Sequence, residues 1–112
     1  MSECIFCQII KGQIPAEKVY EDDDCIGIKD VNPQAPVHIL VIPKKHIDKL
    51  YNLEDEKLLG KMLIVCSKVA EMFSIKENGY RIVINTNKFA GQSVEHLHYH
   101  LMGGRIMNWP PG

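Results

Sequence analysis

Five histidines fall in 112 residues, and three of them, His96, His98 and His100, stand at every second position. A period of two is the period of a β-strand, so the three imidazoles should share one face, with Leu97, Tyr99 and Leu101 on the opposite, core-facing side. Three neutral imidazoles make poor core material, because each carries a donor and an acceptor that need partners. They suit a surface that handles something anionic or electrophilic: near neutral pH a free ring nitrogen can attack, take a proton or bind a metal. A solvent-facing strand that is merely rich in histidine is the plain alternative. Three in register, led in by Gly91-Gln92-Ser93, speak against it. A second chemistry-bearing set is Cys4 and Cys7, three apart, which face the same way on a helix and have zinc-ligand spacing. A closed tetrahedral site needs four ligands, so the pair alone is a weak signal. His46 and His96 are the spare histidines that could complete it.

Several elements must position these groups. Residues 4–12 predict a short helix with an apolar stripe of Ile5, Phe6, Ile9 and Ile10, Ser2 as N-cap and Gly12 as stop. Val19–Glu21 and Cys25–Lys29 read as a β-hairpin around the turn Asp22-Asp23-Asp24, which is expected to be solvated rather than metal-binding. Gly27 suggests close approach by another backbone or a ligand. Val37–Ile42 reads as a strand closed by Pro43, with His38 on the face of Leu40 and Ile42. Asn52–Ile75 carries a helical period through Leu58, Leu59, Met62, Leu63, Val65, Cys66, Val69, Ala70 and Phe73, with Asn52 as cap. Cys66 lies in that stripe and reads as a small core residue. Tyr80–Asn85 is a further strand, and Thr86–Ser93 a polar loop able to present N–H groups and the Ser93 hydroxyl to an anion. The order predicts an α+β fold: an antiparallel sheet of about five strands, one long helix on a face, and a short N-terminal helix.

The length suits one domain over residues 1–112. Hydrophobic residues are 46%, charged residues 24% and net charge −1, which gives no push toward a nucleic acid polymer or a membrane. No apolar run approaches the ~18 residues of a membrane span. Met1-Ser2-Glu3 lacks a signal-peptide start, so a cytoplasmic location is expected, with the four cysteines as thiols or metal ligands rather than disulfides.

The segment His96-Leu97-His98-Tyr99-His100-Leu101-Met102 resembles the His-x-His-x-His signature of the histidine triad (HIT) family of nucleotide hydrolases and transferases. Asp30 to His46, Gly103-Gly104-Arg105 and Trp109-Pro110-Pro111-Gly112 resemble other parts of its nucleotide-binding branch, and the similarity spans nearly the whole chain. Tyr99 departs from the family's usual aliphatic residue. The resemblance implies a HIT-like fold, a homodimer with sheets joined edge to edge, and hydrolysis of purine nucleoside 5′-phosphoramidates or acyl-adenylates, derivatives of AMP or GMP. It implies that Phe6, Ile9 and Ile10 wall the nucleoside pocket and that Asp30 contacts the ribose hydroxyls with Val31 beside it. Asn85, Gly91, Gln92 and Ser93 would surround the phosphate, Trp109 would reach the partner's site, and His38 would support the triad. His98 is the expected nucleophile, forming a covalent nucleotidyl-histidine. His100 would donate to the phosphate or leaving group, Ser93 would assist the leaving amine, and no metal is required for the chemistry. Some members bind structural zinc through the pattern filled here by Cys4, Cys7, His46 and His96.

Three other readings make different predictions. Dinucleoside polyphosphate hydrolysis is the alternative within the family. A catalytic metal on His96, His98 and His100 would make activity chelator-sensitive. A binder without turnover would bind nucleotide tightly and form no covalent intermediate.

Overall fold

The structure, a computed structural model, describes residues 4–112. In chain order it contains helix α1 (Ile5–Ile10), strands β1 (Lys18–Glu21), β2 (Cys25–Lys29) and β3 (Val37–Pro43), and a 3-10 turn (Leu50–Asn52). Helix α2 (Glu56–Met72), strand β4 (Tyr80–Val83), helix α3 (Asn87–Ala90) and strand β5 (Tyr99–Gly103) follow. The strands form one antiparallel sheet in the order β1-β2-β3-β5-β4. This is the expected α+β architecture of five strands with a long and a short helix.

Alternation along the strands divides the core in two. Cys25, Ile39, Val41, Tyr99 and Leu101 face α2 and pack with Met62, Val65, Cys66, Val69 and Ala70. Ile26, Ile28, Leu40 and Ile42 face the other way and pack with Phe6 and Ile9 of α1. His38 and His100 lie on that second face, since they alternate with Ile39 and with Tyr99 and Leu101. Tyr99 is fully buried on the α2 side and its hydroxyl donates to the Leu59 carbonyl at 3.3 Å, so its ring points away from the triad. Gly103 has a packing reason: a Cβ there would lie 2.7 Å from Cδ1 of Ile75. At Gly27 the close neighbours are the Tyr20 and Ile39 side chains of adjacent strands, so nothing there requires a ligand.

Local boundaries differ from the sequence reading in several places, and strand β4 ends at Val83 rather than Asn85. Helix α2 begins at Glu56, because the Asp55 carboxylate accepts from the N–H groups of Lys57 and Leu58; Asn52 instead donates from its side chain to Asp48. On α1 the cap within the described residues is Cys4, whose Sγ accepts from Cys7 N–H, while Ser2 lies outside the described residues. The loop after β4 contains the short helix α3, ended by Gly91 in the left-handed conformation at φ 84°. Strand β5 starts only at Tyr99, so His96 and His98 lie on the extended approach to it. In the acidic turn, Asp22 accepts from Tyr20, Asp24 and Cys25, and Lys61 pairs with Asp22 and Asp24.

Candidate functional site

The triad lies on the α1 face of the sheet. Phe6 of α1 meets the rings of His96 and His98 edge-on, at centroid distances of 5.8 and 5.1 Å, and the rings of His98 and His100 are 5.0 Å apart. His100 pairs with Leu40 on one side and Val83 on the other, so it sits on an interior strand of the sheet. His38 comes from β3, one strand over, and is buried.

Backbone partners set the tautomers of His98, His96 and His38, and the His38 ring sets that of His100. Nδ1 of His98 lies 2.7 Å from the His96 carbonyl, which can only accept, so Nδ1 carries the proton and Nε2 carries the free lone pair. Nε2 of His96 lies 2.9 Å from the Pro43 carbonyl, so its proton is there and its Nδ1 is the free acceptor. His38 Nδ1 accepts from the Gln34 N–H at 3.0 Å, which puts its proton on Nε2. That N–H faces Nδ1 of His100 at 2.9 Å, so His100 keeps its own proton on Nε2. The row therefore offers one ring nitrogen with a free lone pair, on His98, and one N–H donor, on His100.

Burial keeps these rings neutral. It lowers His38 and His98 from the ordinary histidine value, and it takes His100 to about 4, with His98 and His38 adding to the effect. For His38 and His100 the unfolded chain takes up protons below about pH 6.5 that the folded chain refuses. Their contribution to stability is therefore full above that pH and falls as pH drops below it, for His100 until pH reaches about 4. While such a ring stays neutral, each pH unit in that window costs about 1.4 kcal/mol, which corresponds to about 4–8 °C per kcal/mol in a domain of this size. Calorimetry at pH 7, 5.5 and 4.5 should show this fall in Tm, and His100→Gln should flatten it. A flat Tm from pH 6.5 to 4.5 in the wild type would refute it.

A second cluster backs the first. Nδ1 of His96 lies 3.3 Å from Cys4 Sγ, 3.6 Å from Cys7 Sγ and 3.1 Å from His46 Nδ1, and Cys7 Sγ is 3.4 Å from His46 Nδ1. Zinc with bonds of about 2.05 Å to nitrogen and about 2.3 Å to sulfur would have tetrahedral edges of about 3.3 Å N–N and about 3.5 Å N–S. The donor atoms sit close to those edges and converge within 4.8 Å. His96 also gives its other N–H to a backbone carbonyl, which orients and polarises a ligand imidazole. The four residues thus fit a closed zinc site. By contrast, Cys25 and Cys66 are core thiols pushed up to about 12, chiefly by burial, and are inert.

Other expected site residues fall in different surroundings. Phe6 and Ile9 are buried on the triad face with Ile10 packed against them. Asp30 leaves β2 with its N–H donated to the His38 carbonyl at 2.9 Å, and one carboxylate oxygen lies 3.4 Å from His38 Nε2. Val31 next to it is almost fully exposed. Gln92 is engaged in holding the loop: its Nε2 donates to the Asp48 and Val94 carbonyls, and its Oε1 accepts from Asn87 N–H. Ser93 is exposed on the approach to His96. Asn85 is half-buried just past β4, two residues from the Val83 that pairs with His100. Trp109 is 81% exposed. Two contributors carried no signal of their own in the sequence, the Gln34 N–H and the Pro43 carbonyl, because a backbone group has no side-chain signature.

The HIT domain family matches residues 11–107. The chain belongs to the HIT family. It is 53% identical over 115 residues, covering all of both chains, to an uncharacterized HIT-like protein from Synechococcus elongatus. A crystal structure of a HIT family hydrolase from Legionella pneumophila matches with TM-score 0.95 and 47% identity, covering 98% of this chain and 100% of that one. A histidine triad nucleotide-binding protein from Candida albicans matches with TM-score 0.85 and 36% identity, covering 96% and 83%. This HIT protein therefore has the fold of a family of nucleotide hydrolases. Among its described residues no helix is long and apolar enough to cross a membrane.

Proposed function

We propose that this HIT protein hydrolyses purine nucleoside 5′-phosphoramidates or the related acyl-adenylates through a nucleotidyl-histidine intermediate on His98. The observation that carries the reading is the hydrogen bond from His98 Nδ1 to the His96 carbonyl, which leaves the Nε2 lone pair free. That lone pair forms a bond to phosphorus, and the P–N bond to the leaving amine breaks with its electrons on the amine. The amine takes a proton handed on from solvent through the Ser93 hydroxyl. His100 Nε2–H donates to a phosphoryl oxygen, where charge builds up. Water then attacks phosphorus and releases its proton to solvent, and the electron pair returns to Nε2. Asp30 accepts from the ribose diol, while Phe6, Ile9 and Ile10 supply an apolar wall for the base.

Cys4, Cys7, His46 and His96 would hold a structural zinc ion, which cross-links α1 to the approach to β5 and supplies no reactive group. The test of the activity is to incubate the pure protein with an adenosine 5′-phosphoramidate carrying a fluorescent amine. Amine release should be followed, with an acid-free quench to look for adenylated protein. Release with a transient adduct supports the reading. Tight binding without release or adduct defeats it.

A homodimer is proposed with it. Strand β4 ends the strand order, so its outer edge has no strand partner among the described residues. Beside it, α2 exposes Leu63, Ile64 and Met72, and Ser67 of α2 is 3.0 Å from the Tyr80 hydroxyl of β4. An open strand edge and an apolar helix face on one side form a self-complementary surface. Light scattering at micromolar concentration should give twice the 12.8 kDa chain mass, and a monomer would rule the assembly out.

A further inference from the structure

We infer that Asp30 is a positioning residue with an electrostatic task beyond any contact with ribose: it is the counter-charge for the His38–His100–His98 imidazole row, and it stabilises the positive charge that arises on His98 when the intermediate forms. The inference rests on the proposed covalent reaction and adds to it.

The geometry carries it. Oδ2 of Asp30 lies 3.4 Å from His38 Nε2, the same N–H that faces His100 Nδ1 at 2.9 Å. His100 in turn meets His98 edge-on, with ring centroids 5.0 Å apart. The carboxylate is held in place, since Oδ1 accepts from Asn32 N–H at 2.8 Å and the Asp30 N–H is tied to β3. Its side chain is only 18% exposed and His38 opposite it only 3%. Among the described residues no lysine or arginine pairs with Asp30, so its charge is not spent on another cation. A fixed and largely covered carboxylate next to two buried rings and one half-buried ring exerts a long-range effect, because little water screens it.

The reaction supplies a charge that needs this partner. His98 starts neutral, with its proton on Nδ1. When Nε2 bonds to phosphorus, the ring keeps that proton and becomes an imidazolium. Burial opposes any positive charge here, and the Asp30 charge acts against burial on His38, His98 and His100 alike. The groups that face His100 are His98, His38 and Asp30, and of these Asp30 alone is an anion.

Asp30→Asn keeps the shape and removes the charge. Both proteins should be assayed with an adenosine 5′-phosphoramidate and with its 2′,3′-dideoxy analogue, which has no diol to bind. The variant should lower kcat by about 10- to 100-fold on both substrates and lower the amount of adduct trapped in the quench. If the loss is confined to KM on the ribose substrate, and both proteins turn over the dideoxy substrate equally, Asp30 serves the diol alone and the inference falls. A second measurement needs no substrate. In 15N-histidine NMR, the midpoints of His38 and His100 should lie at lower pH in the variant, since losing the anion disfavours their cations. Unchanged midpoints overturn the inference whether or not the chosen substrate is turned over, while absence of turnover in the wild type counts only against the proposed activity.

Discussion

His98→Ala should lower kcat by about 10³-fold or more, the scale expected when a nucleophile that acts as a unit with its neighbours is removed. No other imidazole in the row can replace it. The Nδ1 of His100 is occupied by the His38 N–H and its Nε2 carries a proton, while the free nitrogen of His96 points into the Cys4–Cys7–His46 cluster. The fold should survive. The substitution removes one donor from the His96 carbonyl, a cost of about 1–3 kcal/mol if nothing replaces it, so Tm should fall modestly and nucleotide affinity should change little. His96→Ala should show the opposite balance, with a large loss of stability, because that ring fills a fully buried position, holds the Pro43 carbonyl and belongs to the cluster. His98→Gly restored by free imidazole would show that only the nucleophilic nitrogen was missing. Near wild-type turnover by His98→Ala would refute the covalent mechanism.

Cys4→Ser combined with Cys7→Ser should abolish zinc binding and lower Tm by about 10 °C or more. Structural zinc contributes directly to folding free energy, and each kcal/mol moves Tm by about 4–8 °C in a small domain. The short helix α1 would feel the loss first. Its six residues are too few to be stable alone, and it is otherwise held by Phe6 and Ile9 against the sheet. Wild-type protein purified without chelator should contain about one zinc per chain, as one four-ligand site requires. The same His96 that belongs to the cluster carries the carbonyl that orients His98, so metal loss should also loosen the mount of the proposed nucleophile. Native protein free of metal, with unchanged melting on zinc addition, would remove the site from consideration.

What the sequence determined on its own was periodic. Alternation at period two placed His38 with Leu40 and Ile42, and His100 opposite Leu101 and Tyr99, and the sheet has those faces. The 3.6-residue stripe of α2 located its buried residues, although it also enrolled Leu63, which is exposed, because a stripe does not state how wide its partner surface is. The order of elements was enough for an α+β sheet, and the triad with its flanking segments was enough for the HIT resemblance. Boundaries were less legible. Asp55 and Asn52 are both competent caps, and the choice fell to the one whose carboxylate met two helix N–H groups. The chemistry of the histidines was decided only by the tertiary structure. The Pro43 carbonyl that fixes His96 is 53 residues away, the His38 ring that fixes His100 is 62, and Cys4 reaches His96 across 92. A tautomer is set by whichever donor or acceptor the register of distant strands brings to each ring nitrogen, and no local pattern of residues encodes that register.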